Sequence, residues 1–254
     1  MADGKGGNKG GALPGLGGFA GNMPGGFSRP TVVPGMGMGF GNAQGFKLPS
    51  QQPAQPRKPY RHARTLDGKP IRLVPDFITE DERARLYDFV SRPNAPWETY
   101  LPKDNVWHGR MINPRSMPPK ILSLMEAIRK RVVAHVKADY EITDPVYADT
   151  LQLVRWRPGD NQSPHADCEE PDGRPNSTPW RAFASIIYLN DEYEGGGIHF
   201  PDLGLRPEIK PRTLAYFPST NKYKHGVEAI TSGRRFTFSC FYTFDESRHD
   251  GHAV

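Results

Sequence analysis

The sequence predicts an α+β protein in which two helices precede a set of strands folded into a sandwich or barrel. Three observations carry this. Two segments before residue 141 have helical spacing. Short alternating strands follow Asp144, and Gly/Pro/Asn/Asp clusters separate them.

The first 60 residues are dominated by Gly and Pro, with few large apolar side chains to offset the entropy of ordering. A disordered low-complexity tail is expected over 1–60, ahead of a single folded domain over 61–254. Phe19, Met36, Met38 and Phe40 are candidate contacts for a partner or for self-association through that tail.

Ile71 to Val74 reads as a strand closed by Pro75. Thr79 stands three residues before Glu82, the spacing of a capping box, and opens a helix with Ala84, Leu86, Phe89 and Val90 on one face. Pro93 and Pro96 end it. A second helix is predicted from Lys120 to Tyr140, with Ile121, Met125, Ile128, Val132 and Val136 as its apolar stripe. Strands are then expected at 147–156, 181–189, 197–200, 213–217, 225–230 and 234–244. The intervening RPGDN, DEYEGGG, PDLGLRPEIKP and TSG supply the turns. Phe236, Phe238, Cys240 and Tyr242 alternate as in a half-buried strand.

The net charge of +5 is spread among acids, so an ordinary basic surface is the expectation and nucleic-acid binding is not. Two cysteines, Cys168 and Cys240, do not make a disulfide framework and fit a reducing compartment. No stretch reaches the ~18 apolar residues of a membrane span, and the N-terminus lacks the pattern of a secretory signal. A cytoplasmic protein without membrane attachment is expected.

The chemistry concentrates in LQLVRWRPGDNQSPHAD, which ends in His165 and Asp167, and in HGVEAITSGRR, which contains His225 and Arg235. Residues two apart on a strand share a face, so His165 and Asp167 are expected to point together. With His225 they supply two imidazoles and one carboxylate, a set that binds non-haem Fe(II) and leaves coordination positions open. An Arg at a buried strand start needs an anion. Either a ligand carboxylate or a protein carboxylate would satisfy Arg235, whereas Arg234 faces the other side and is expected to be solvated.

From Val74 to Asp245 the chain resembles 2-oxoglutarate- and Fe(II)-dependent oxygenases of the prolyl 4-hydroxylase type. The resemblance rests on LQLVRWRPGDNQSPHAD, ASIIYLNDEYEGGGIHFP and LAYFPSTNKYKHGVEAITSGRRFTFSCFY, in that order. It implies a double-stranded β-helix, a cupin-like jelly roll with helices packed on one sheet. It also implies that His165, Asp167 and His225 bind Fe(II), and that Arg235 and Tyr188 hold the distal carboxylate of 2-oxoglutarate. O2 would be the second co-substrate and ascorbate the reductant, and hydroxylation would release succinate and CO2. Asp167 favours hydroxylation over halogenation, since related halogenases carry a small residue there. Trp107 and Arg110 resemble a substrate-side segment, and Trp156 stands where some members have Tyr. Gln162 replaces the usual Tyr three residues before the first ligand, a departure that bears on co-substrate contacts and substrate choice. His199 is read as a wall residue, not a fourth ligand.

The expected substrate is a prolyl or other amino-acid residue in a peptide or protein, the Pro-containing tail among the candidates. A hydroxylase of free amino acids or other small molecules is the alternative, with an open groove near 97–115 expected for a peptide enzyme and a closed lid for a small-molecule one. A structural protein that keeps the barrel and assembles through its tail is the alternative of a different class.

Overall fold

The computed structural model describes residues 63–100 and 105–250; the tail expected over 1–60 lies outside the described residues. Among the described residues there are two α-helices, α1 (Glu80–Ser91) and α2 (Pro119–Asp139). Helix α1 begins as the sequence requires. Thr79 accepts from the Glu82 amide at 3.2 Å, and the Glu82 carboxylate accepts from the Thr79 amide at 2.9 Å. Helix α2 carries Pro119 at its first position, where the missing N–H costs nothing.

The described residues form eleven strands in chain order: β1 (Arg72–Val74), β2 (Met111–Ile112), β3 (Tyr147–Trp156), β4 (Gln162–His165), β5 (Arg181–Tyr188), β6 (Tyr193–Gly195), β7 (Ile198–His199), β8 (Leu214–Pro218), β9 (His225–Val227), β10 (Ile230–Gly233) and β11 (Arg235–Thr243). The major sheet has the order β1-β8-β5-β11-β3-β2, antiparallel throughout. The minor sheet is β4-β9-β7, and β6 pairs with β10 as a separate ribbon.

The helices cover one face of the major sheet. Leu86, Phe89 and Val90 of α1 and Met125, Ile128, Val132 and Val136 of α2 join one core with Phe236, Phe238, Cys240 and Tyr242 of β11. The opposite face carries Ala184, Tyr188, Ala215 and Phe217, which pack with Ile198 and Phe200 of the minor-sheet side. The expected jelly roll with helices on one sheet is therefore the fold observed.

Three expectations need correction. Strand β11 is not half-buried. Arg235, Thr237 and Ser239 are buried as well, because a second layer covers the face that alternation alone would leave to water. The strand expected over 225–230 divides, its first half joining the minor sheet and Ile230 joining the ribbon. Gly195 of DEYEGGG and Gly233 of TSG belong to that ribbon rather than to bare turns. Gly195 and Gly233 both have φ +71, and a Cβ on either would lie 2.2 Å from a carbonyl oxygen of the facing strand or its approach. These glycines permit close backbone approach.

Replacing Thr79 by Ala removes one half of the reciprocal cap and is expected to lower stability by about 1 kcal/mol. Urea unfolding monitored by circular dichroism should show a lower midpoint with an unchanged slope.

Candidate metal and co-substrate site

His165 ends β4 and pairs directly with His225, the first residue of β9. Directly opposed residues on an antiparallel pair point to the same side, so both imidazoles enter the barrel. Their ring centroids lie 4.6 Å apart. Asp167 comes in differently from the strand alternation expected for it, because β4 stops at His165. Its backbone is tied to the far side of the barrel instead. The Asp167 amide donates to Ser219 O at 3.0 Å, and Thr178 Oγ1 donates to Asp167 O at 2.8 Å. One ligand atom from each of His165, Asp167 and His225 lies within 4.8 Å of the other two.

The donor atoms are prepared for a cation. His165 Nδ1 faces Ser163 O at 3.1 Å and His225 Nδ1 faces Tyr223 O at 3.2 Å. With Nδ1 donating to a carbonyl, each Nε2 carries the lone pair a metal needs. Burial pushes the His225 imidazole down to about 4, with the nearby Asp167 carboxylate opposing, so it stays neutral. Asp167 is buried, and its Oδ2 has no hydrogen-bond partner among the described residues. A buried carboxylate oxygen without a donor, beside two imidazole Nε2 lone pairs, fits a divalent cation. Phe217 and Phe200 flank His225 at 4.5 and 5.8 Å between centroids and form an apolar wall.

Arg235 opens β11 and is only 2% exposed. Its Nη1 donates to Gly196 O, its Nε has no partner, and it makes no ion pair with a carboxylate among the described residues. Trp156 and Tyr188 box the guanidinium at 5.2 and 5.5 Å. The Tyr188 hydroxyl is also buried without a partner, and burial pushes its pKa up to about 12 while Arg235 opposes the rise. A cation and a neutral hydroxyl donor, both short of acceptors, suit a carboxylate.

The family model of the 2OG-Fe(II) oxygenase superfamily matches residues 151–243, an interval holding all three candidate ligands, Tyr188 and Arg235. Residues 151–243 are thus similar to a 2OG-Fe(II) oxygenase domain. Prolyl 3-hydroxylase 1 of Gallus gallus is 32% identical over 76 residues, a match covering 28% of this chain and 10% of that protein. The chain thus spans about a tenth of that relative's length. A viral collagen prolyl hydroxylase from Paramecium Bursaria Chlorella virus-1, solved with 2OG, superposes with a TM-score of 0.53 at 18% identity. That alignment covers 70% of this chain and 97% of the viral one. A Pseudomonas putida prolyl-4-hydroxylase gives 0.50 at 16% identity, covering 71% and 96%. The fold of the oxygenase domain is of the prolyl-hydroxylase type.

Trp107, Arg110 and Trp156 gather at the Arg235 corner. The Trp156 indole lies between two guanidinium groups, with Arg110 and Arg235 each 5.2 Å from its ring. Trp107 meets Trp156 edge-on at 6.2 Å. Arg110 pairs with Asp160 at 2.8 Å and thereby braces the turn leading into β4. His199 pairs with Gly226, one residue past His225, and so lies on the face of β9 opposite the candidate ligands. It is not among the residues that could hold the ion. Two lining residues escaped the sequence reading. Thr237 shares the inner face two residues after Arg235 and pairs with Tyr188. The largely buried Tyr193 feels the Arg235 charge, yet it lies in a segment read as a turn. The alternation of β11 could have revealed Thr237; nothing local could have revealed Tyr193.

Gly226 lets the minor sheet close around the ligands. A Cβ there would lie 2.8 Å from Gln162 O and from His199 Cε1. Gly226→Ala is expected to spread β4 from β9 and weaken Fe(II) or Mn(II) binding by about 10-fold or more, read by calorimetric titration.

Proposed function

We propose that this chain is a 2-oxoglutarate- and O2-dependent hydroxylase acting on a prolyl or other amino-acid residue within a peptide or protein, with release of succinate and CO2. The buried Arg235 guanidinium carries this reading, because it has no protein carboxylate among the described residues and lies over the Tyr188 ring within the same barrel as the His165/Asp167/His225 cluster. The names of the relatives, a collagen prolyl hydroxylase among them, support a polypeptide substrate.

Fe(II), 2-oxoglutarate and O2 would together supply the oxidising chemistry, with ascorbate as an external reductant. The chain's own residues do the rest. His165, Asp167 and His225 would hold the metal on one side. Arg235 and Tyr188 would anchor the distal carboxylate through charge-assisted hydrogen bonds and so orient the co-substrate. Phe200 and Phe217 keep water from the His225 side. The buried Cys168 and Cys240 are compatible with the reducing, cytoplasmic setting included in this proposal. Among the described residues no helix is long and apolar enough to cross a membrane. The lid or groove expected near 97–115 includes 101–104, which lie outside the described residues.

Succinate release from 2-oxoglutarate with Fe(II) and ascorbate tests the reading, supplied with Pro-containing peptides as substrates. His165→Ala is expected to abolish turnover and metal binding. Arg235→Leu removes one partner of a buried charge pair, a loss of about 2 kcal/mol or more, and should raise the KM for 2-oxoglutarate by about 30-fold or more. Loss of neither activity in the variants, or a wild type that binds no Fe(II), would overturn the proposal and favour a structural role.

A further inference from the structure

Gln162 and His165 are three residues apart on β4, which in a regular strand would place them on opposite faces. They are on the same face. The β4–β9 register is Gln162↔Val227 and His165↔His225, with an irregularity between the two pairs. A bulge of this kind re-aims a side chain, and here it brings the Gln162 carboxamide into the barrel. Its Nε2 lies 3.2 Å from His165 Nε2. Because His165 Nδ1 faces Ser163 O, the Nε2 is the acceptor and the amide N–H donates to it.

That lone pair is the one a metal would take. Once it is taken, the amide donor loses its acceptor while still facing inward opposite the buried Val227, which packs with Val154, Trp156 and Ile230. A part-buried donor aimed at the site is then available to another oxygen. We propose that Gln162 is a positioning residue that donates a hydrogen bond to an oxygen atom occupying the open side of the metal next to His165, either water or the near carboxylate of the co-substrate. This rests on the proposed Fe(II)/2-oxoglutarate function. It assigns to an amide the place where related enzymes carry a Tyr, and it makes the bulge of β4 part of the site.

Gln162→Met keeps the length of the side chain and removes the donor. Gln162→Asn keeps the donor one methylene short. Two anaerobic titrations separate the two sources of oxygen. In the first, Co(II) alone reports through its visible ligand-field spectrum. In the second, Fe(II) with 2-oxoglutarate reports through the visible charge-transfer absorption of the chelate. The Met variant is expected to shift the Co(II) spectrum if water is the acceptor. It should shift the charge-transfer band and weaken 2-oxoglutarate binding by about five-fold if the acceptor is the carboxylate, the value of one hydrogen bond. The Asn variant should fall between the Met variant and wild type. Thermal unfolding of the apoprotein shows whether either variant is merely unstable. Spectra and affinities equal to wild type in the Met variant would overturn the assignment of Gln162. A wild type that forms no charge-transfer complex, or one that persists in His165→Ala, overturns the underlying oxygenase reading as well.

Discussion

The pairing of His165 with His225 across β4 and β9 is the constraint on which the site depends. A slip of one residue would turn one imidazole out of the barrel and leave a carboxylate and a single histidine inside. Little backbone hydrogen bonding defends this register, since β4 has four residues and β9 three. It is held instead by what surrounds it: Gly226, where the strands come too close for a side chain, and the Phe217 ring against His225. The Arg110–Asp160 pair fixes the turn that delivers β4.

The major sheet supplies the complementary half. Its central strand β11 is covered on both sides, by the helices on the even-numbered face and by the barrel interior on the odd. The even face is ordinary core. The odd face carries Arg235, Thr237 and Ser239, buried polar groups of the kind a purely structural sandwich would replace with aliphatics. A buried guanidinium lacking a carboxylate partner costs stability, and such groups are retained where they act. The fold tolerates it because the Trp156 and Tyr188 rings flank the cation and Gly196 O accepts one of its donors.

Much of this was legible in the sequence. The capping box at Thr79, the stripe of α2 and the long strands β3, β5 and β11 follow from local periodicity, and the structure reproduces them. Two of the short strands were harder, β6 with three residues and β10 with four. β6 and β10 consist largely of residues that signal turns, and they pair only because Gly195 and Gly233 allow backbones to approach. Trp107 and Arg110, expected on the substrate side, pack against Trp156 at the Arg235 corner.

The sequence by itself determined the chemistry on offer: two imidazoles, one carboxylate, a strand-initiating arginine and a tyrosine, each of a type suited to Fe(II) or to a dicarboxylate. Only the tertiary structure decided how they meet. Asp167 reaches the histidines through hydrogen bonds to Ser219 and Thr178, not through strand alternation. Gln162 turns inward through a bulge, and Tyr193 arrives from a ribbon paired across the chain. The reason is physical. Side-chain type and periodicity are properties of neighbouring residues, whereas bulges, close glycine contacts and loop ties are set by partners distant in sequence, whose packing fixes which local geometry is lowest in energy.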